Sequence, residues 1–323
     1  MTTLTQTRPQ AETQAPAAAP LQIEPLTPLI GAAVRGADLR RTFTAAERAQ
    51  VDRALLDWKL LIFRGQEITD ADQVAFSRQF GPVLPAHPLS AGLPDHPEVW
   101  ERHARDYKPR YRPDRTTPSI ESPRDYNGWH IDITFVANPN SFTILRGTNV
   151  PPYGGDTLWS NLEAAYEGLS PAIQKLIEPL KGVHRASGYD FEGASPQGVK
   201  SHGRFAALHP LVRVHPVTRR KALFVSPGGP KHIHGLLPRE SEALLGLLRE
   251  EVIRPEYAVR VRHEPGSLAI WDNRNTAHIG PVDFAHFNDS RVVHRTIVEG
   301  GLPEGPDGFR SIPLDGGLFT AAA

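Results

Sequence analysis

Cysteine is missing from all 323 residues, which excludes disulfides, thiolate zinc sites and iron–sulfur clusters and leaves His, Asp and Glu as the strong metal ligands. No apolar stretch is long enough to span a bilayer, and the first residues lack the apolar run of a secretory signal. Neither sign of charge is in excess. The 36 basic residues offset 36 acidic ones, so bulk electrostatics point to no nucleic-acid and no membrane partner, and any anion has to be recognised locally. Together these absences predict a soluble, cytoplasmic protein. A mainly β chain of this length commonly has one core, so one catalytic domain is expected.

The residues that are present are unevenly spread. Residues 1–22 are rich in Thr, Gln, Ala and Pro, a composition that does not repay the entropy of ordering, and they read as a disordered tail before a domain over 23–323. Thr44 and Glu47 form a capping-box pattern ahead of Val51, Ala54, Leu55 and Trp58 at helical spacing, and the apolar run Leu60 to Phe63 comes next as a buried strand. Further helices are predicted from Ala71 to Phe80, from Ser170 with Pro171 in its first turn, and around Leu244, Leu245 and Leu248. Short strands are predicted at Phe142–Arg146, Thr157–Trp159, Ala222–Val225, Val259–Arg262, Leu268–Trp271 and Val292–Val298. The pattern predicts a mixed α+β, mainly β chain, a sandwich or jelly roll with flanking helices. The stretch 107–127 is crowded with Arg, Pro, Ser and Asp and reads as a long loop, a lid over a neighbouring site.

That stretch runs directly into Trp129-His130-Ile131-Asp132. On a strand, His130 and Asp132 would share a face, and one cation could take both. Two His and one carboxylate on one side of an octahedral ion leave positions open for a bidentate co-substrate and O₂, as in non-haem Fe(II) oxygenases, so a second His is required. Near the C-terminus, Leu268 to Arg274 leads to His278, and Arg291 and Arg295 fall four apart beside Val293 and Ile297. Two guanidinium groups on an inward face need anionic partners, and with a metal nearby a ligand carboxylate is the apt one. His209 and His215 read as strand-terminating residues of a His-Pro pattern, and His184, His232 and His234 as surface or hydrogen-bonded core residues.

With these segments in hand, the chain resembles the TauD/TfdA family of Fe(II)/2-oxoglutarate-dependent dioxygenases from Ile23 to Leu302. The matching segments are Leu61 to Gln66, Phe80-Gly81-Pro82, Ala86-His87-Pro88, Trp129 to Phe135, Gly154 to Trp159, His209 to Pro216 and Trp271 to Arg274. The resemblance implies a double-stranded β-helix core, with His130, Asp132 and His278 as iron ligands. It implies Thr157 and Arg291 on the distal carboxylate of 2-oxoglutarate, and His87, Tyr126, Ile133 and Arg295 toward the substrate. The reaction implied is oxidative decarboxylation of 2-oxoglutarate by O₂ to succinate and CO₂, coupled to hydroxylation of a substrate C–H bond, and a homodimer or homotetramer is the assembly implied.

Where taurine-oxidising members carry larger groups, this chain has Ser90 and Gly229, which implies a roomier pocket and a small organic anion bulkier than taurine, an alkyl sulfate or sulfonate. An aryloxyalkanoate or a biosynthetic carboxylate or amino acid stays open as the substrate. Longer spacing between His278 and Arg291, with Phe284 to Asn288 as the extra residues, leaves the roles of Arg291 and Arg295 exchangeable. Two other classes compete: a non-catalytic jelly-roll binding protein, and a zinc hydrolase, which would want a general base beside the metal although no His-Glu-x-x-His helix occurs.

Overall fold

Apolar runs of four or five residues are too short to make helices and settle as strands, buried on both faces where layers cover them. The computed structural model describes residues 20–103, 128–186, 205–280 and 291–321. Its first half runs β1 (Gln22–Pro25), β2 (Ala32–Arg35), α1 (Ala45–Trp58), β3 (Leu60–Phe63), α2 (Asp70–Arg78), β4 (Trp100–His103), β5 (Phe142–Asn149) and β6 (Thr157–Asn161). Next come α3 (Leu162–Gly168), α4 (Pro171–Ile177), β7 (Lys181–Arg185), β8 (Ala206–Pro210), β9 (Val212–Val214), β10 (Lys221–Leu223), β11 (His232–Ile233) and α5 (Pro238–Val252). The chain closes with β12 (Ala258–Val261), β13 (Leu268–Asp272), β14 (Thr276–Ile279), β15 (Val292–Val298) and β16 (Ile312–Asp315).

Among the described residues, seven strands form the main sheet in the order β1-β2-β3-β13-β5-β15-β4, and only β2 and β3 run parallel in it. Alternation along its central strands divides the core. Leu60, Ile62, Ala269 and Trp271 enter one cluster while Leu61, Phe63, Leu268 and Ile270 enter another. The first cluster also holds Trp159, Val259 and Val261 from the three-stranded sheet β12-β6-β14, so two sheets face each other as a jelly roll. The second cluster is closed by Val51, Ala54 and Leu55 of α1 and Phe76 of α2, which cover the outer face. Beyond the smaller sheet, Ala277 of β14 packs with Leu162 of α3 and Leu245 and Leu248 of α5. The result is the mainly β, jelly-roll architecture with outer helices that the strand pattern predicts.

Boundaries move where tertiary pairing overrides local pattern. Leu21 and Gln22, assigned by composition to the tail, belong to the fold: Leu21 is buried in the core and Gln22 opens β1. The strand expected at Ala222–Val225 is Lys221–Leu223, and the helix expected at Ala71–Phe80 is Asp70–Arg78, capped by Thr69. Strands β7, β8 and β16 carry no alternating signal and are strands because they pair with one another. The proposed lid at 107–127, Tyr126 within it, and the extra residues Phe284 to Asn288 lie outside the described residues. No helix among the described residues is long and apolar enough to cross a membrane.

One buried charge ties the layers together. Lys59 ends α1 in the left-handed region (φ 65°) and turns the chain straight into β3. The residue is only 2 % exposed, and its ammonium lies 3.3 Å from Glu163 at the start of α3, whose other carboxylate oxygen accepts a hydrogen bond from Asn275 Nδ2 at 2.9 Å. Glu163 also meets Arg220 at 3.0 Å, whereas without Glu163 the Lys59 ammonium keeps only the Leu56 and Asp57 carbonyls as partners and is left as an uncompensated buried charge. Glu163→Leu is therefore expected to cost about 3–5 kcal/mol in urea unfolding, and Lys59→Met combined with Glu163→Leu markedly less than Glu163→Leu alone. Equal destabilisation in the single and double variants would show that the pair is not what these residues contribute.

Candidate metal centre and substrate cavity

Two backbone hydrogen bonds create the centre. The His130 N–H donates to the His278 carbonyl and the His278 N–H to the His130 carbonyl, both at 2.8 Å. This is the antiparallel pair in which opposite residues exchange both bonds, so the two side chains leave on the same side. Their rings stand 4.2 Å apart between centroids. His278 is held at the other edge of β14 by Trp159 of β6, directly across the ladder, and its ring packs on Trp271 at 4.7 Å. The sequence pattern places His130 and Asp132 on a strand; in the structure only His130 pairs, as an isolated bridge, and Asp132 opens a turn. Asp132 reaches the centre because Asn273 Oδ1 accepts its backbone N–H at 3.0 Å while Asn273 Nδ2 donates to its carbonyl at 3.3 Å. The next residue, Ile133, sits at φ 42°, a conformation a β-branched side chain adopts only when its surroundings impose it.

The ligand atoms of His130, Asp132 and His278 lie within 4.8 Å of one another. From Asp132 Oδ1 it is 3.6 Å to His130 Nε2 and 3.9 Å to His278 Nε2. His130 Nδ1 lies 2.5 Å from the Gly128 carbonyl, which can only accept. Nδ1 therefore carries a proton, and Nε2 is the nitrogen turned toward Asp132 and left to serve as a metal ligand. Burial, and then His130 beside it, push His278 down to about 3, so it is a neutral imidazole. Burial pushes Asp132 up, but Arg295 and His278 outweigh it and hold the carboxyl well below the ordinary range. Two imidazoles and an ionised carboxylate, gathered at one point, are a donor set that fits a divalent ion. Both carboxylate oxygens are fixed, Oδ2 by Thr143 Oγ1 at 2.7 Å and Oδ1 by Arg295 Nη1 at 2.9 Å.

A cavity of about 460 Å³ opens on this centre. Of the residues expected toward the substrate, His87, Ile133 and Arg295 line it, together with His130 and Asp132. Gly228 and Gly229 form part of its wall as bare backbone. His87 Nδ1 accepts the Leu89 N–H at 3.1 Å, which places the ring proton on Nε2, and burial with Arg295 nearby pushes His87 down to about 3. Trp100 stacks on His87 at 4.8 Å and lies under the Arg295 guanidinium at 4.3 Å. Thr157 and Arg291 do not line this cavity among the described residues; Arg291 Nε donates to the Gly155 carbonyl at 3.1 Å, two residues ahead of Thr157 in the chain. Sequence reasoning missed Thr143, Asn273, Trp100 and Arg185, the last lining the cavity from the end of β7.

The other histidines divide. His209 and His215 bind elsewhere: His209 bridges Ser311 and the Thr134 carbonyl, and His215 pairs with Asp272 at 3.1 Å. His232 and His234 are exposed. His184 departs from the expectation of a surface or hydrogen-bonded residue, being buried between His209 and Phe224 with neither ring nitrogen hydrogen-bonded among the described residues.

The family model described as taurine catabolism dioxygenase TauD, TfdA family, matches residues 22–297. The chain belongs to the TauD/TfdA family. An alkylsulfatase of Acinetobacter baylyi is 32% identical over 91% of each chain, and an alpha-ketoglutarate-dependent sulfate ester dioxygenase of Pseudomonas putida is 32% identical over 91% of this chain and 94% of its own. Among solved structures, a taurine dioxygenase from Burkholderia xenovorans superposes with a TM-score of 0.79 at 41% identity, over 92% of this chain and 96% of that one. A TauD/TfdA protein is a dioxygenase with Fe(II) as its metal and 2-oxoglutarate as its co-substrate, and the centre formed by His130, Asp132 and His278 fits the iron.

Asp132→Ala is expected to abolish Mn(II) binding in equilibrium dialysis, and Asn273→Ala, which frees the Asp132 backbone, to weaken it about 10–100-fold. Undiminished binding by Asp132→Ala would put the ion elsewhere.

Proposed function

We propose that this dioxygenase acts on a small organic anion, a sulfate ester or sulfonate larger than taurine, and hydroxylates the carbon that bears the sulfate oxygen or the sulfonate sulfur. The observation that carries this reading is one cavity in which a buried guanidinium, Arg295, and an imidazole N–H donor, His87, stand beside the centre of His130, Asp132 and His278. A volume of about 460 Å³ lies within the range of sites for molecules of moderate size. Relatives named for alkyl sulfates and sulfate esters align along nearly the whole chain.

On this reading His130, Asp132 and His278 hold the iron from one side, and Thr157 and Arg291 take the distal carboxylate of 2-oxoglutarate. With O₂, iron and 2-oxoglutarate supply the oxidising power and leave succinate and CO₂. The side chains contribute position rather than acid–base catalysis. Arg295 and His87 grip the anionic end and so fix which C–H bond faces the metal, while the glycine wall leaves room for the alkyl part. Hydroxylation beside a sulfate ester oxygen gives an adduct that collapses to an aldehyde and hydrogen sulfate.

Succinate release is expected to require O₂ and to rise severalfold with an alkyl sulfate of four or more carbons, with little response to taurine. Arg295→Ala should raise the KM for the sulfate ester about 100-fold with the KM for 2-oxoglutarate little changed, and Arg291→Ala should do the reverse. The same loss for both ligands in both variants would defeat this division of roles.

A further inference from the structure

His263 lies just past β12, 5 % exposed, with its Nε2 2.8 Å from Thr157 Oγ1. Its ring meets Trp159 edge-on at 6.4 Å, and burial first, then the Arg291 charge, push it down to about 3. It is a neutral imidazole with a single N–H, facing a hydroxyl that has one proton and two lone pairs. Two arrangements satisfy that contact. If Thr157 donates to a bare Nε2, its proton is spent and only lone pairs remain for any other ligand. If Nε2–H donates to Thr157, the hydroxyl proton is available to a third group. A carboxylate accepts only, so it can join Thr157 in the second arrangement and not in the first.

We propose that His263 is a positioning residue that keeps its proton on Nε2, turns the Thr157 hydroxyl into a donor, and thereby sets the affinity for 2-oxoglutarate. The proposal rests on the reading that Thr157 and Arg291 hold the distal carboxylate. Of those two, Arg291 is already oriented. Its Nε is tied to the Gly155 carbonyl, and a Cβ at Gly155 would stand 3.0 Å from its Cδ. The Thr157 hydroxyl is the donor whose direction remains to be chosen, and His263 chooses it.

The test is anaerobic calorimetry of 2-oxoglutarate binding to Mn(II)-loaded protein, with no turnover involved. Thr157→Val and His263→Phe should each weaken binding about tenfold. The double variant should be no weaker than either single one, and His263→Gln, which restores an N–H donor, should recover most of the loss. Independently, ¹⁵N NMR of the histidine-labelled, Zn(II)-loaded wild-type chain should show His263 Nε2 protonated when 2-oxoglutarate is bound, a readout that does not depend on how the variants fold. A bare Nε2 in that spectrum, or weakened Thr157→Val beside unweakened His263→Phe, would overturn the proposal alone. Unchanged affinity in Thr157→Val would remove the co-substrate from Thr157 and the proposal with it.

Discussion

The reciprocal backbone hydrogen bonds between His130 and His278 are the constraint on which the site depends. They join a segment with no strand of its own to the edge of the smaller sheet, and they do so at the residues whose side chains form the metal centre. Because opposite residues in such a pair send their side chains the same way, convergence of the imidazoles is a property of the backbone and not of rotamer choice. The Trp271 to Asn273 segment then works on both sides of this junction. Trp271 backs the His278 ring, and Asn273 fixes the Asp132 peptide, while Asp272 between them is tied to His215 and Arg274. A motif that reads as a family signature is, in physical terms, the brace of the centre.

The carboxylate at that centre is shared. Asp132 meets the two imidazoles on one side and Thr143 and Arg295 on the other, and Arg295 itself lines the cavity above the Trp100 ring. The guanidinium proposed to receive an anion is thus oriented beforehand by the Asp132 carboxylate and by an aromatic face, and it does not need to be ordered by a ligand. On the proposed function, one hydrogen bond of 2.9 Å couples the substrate anion's site to the metal centre.

Much of this was legible in the sequence because it is carried by short segments. His130 with Asp132, the run Leu268 to Arg274 that leads to His278, and Arg291 with Arg295 each announce chemistry within a few residues. The features that were not legible are carried by contacts between distant segments. Thr143 and Asn273 support Asp132 from 11 and 141 residues away, and neither residue type stands out locally. His263 is a lone histidine whose neighbours give no sign that Thr157 lies 106 residues upstream in the sequence and at hydrogen-bond distance in space. The strand expected through Asp132 failed for a related reason: alternation predicts which face a side chain takes, but Ile133 at φ 42° turns the chain away at once, and only the surrounding packing holds it there.

The proposed substrate class also draws on the kinds of charge in the cavity. Arg295 is permanently protonated, and His87 offers an N–H from a ring that stays neutral through the ordinary pH range, because burial and Arg295 hold it near 3. Recognition by such a pair does not switch with pH on the protein's side, so it suits a ligand whose charge is equally fixed. A sulfate ester or sulfonate meets that condition. A phosphate monoester does not: it gains a second negative charge near pH 6, which a neutral His87 does not compensate. Neutrality of His87 is therefore a selective feature, since an imidazolium there would favour the dianion that the neutral ring leaves uncompensated.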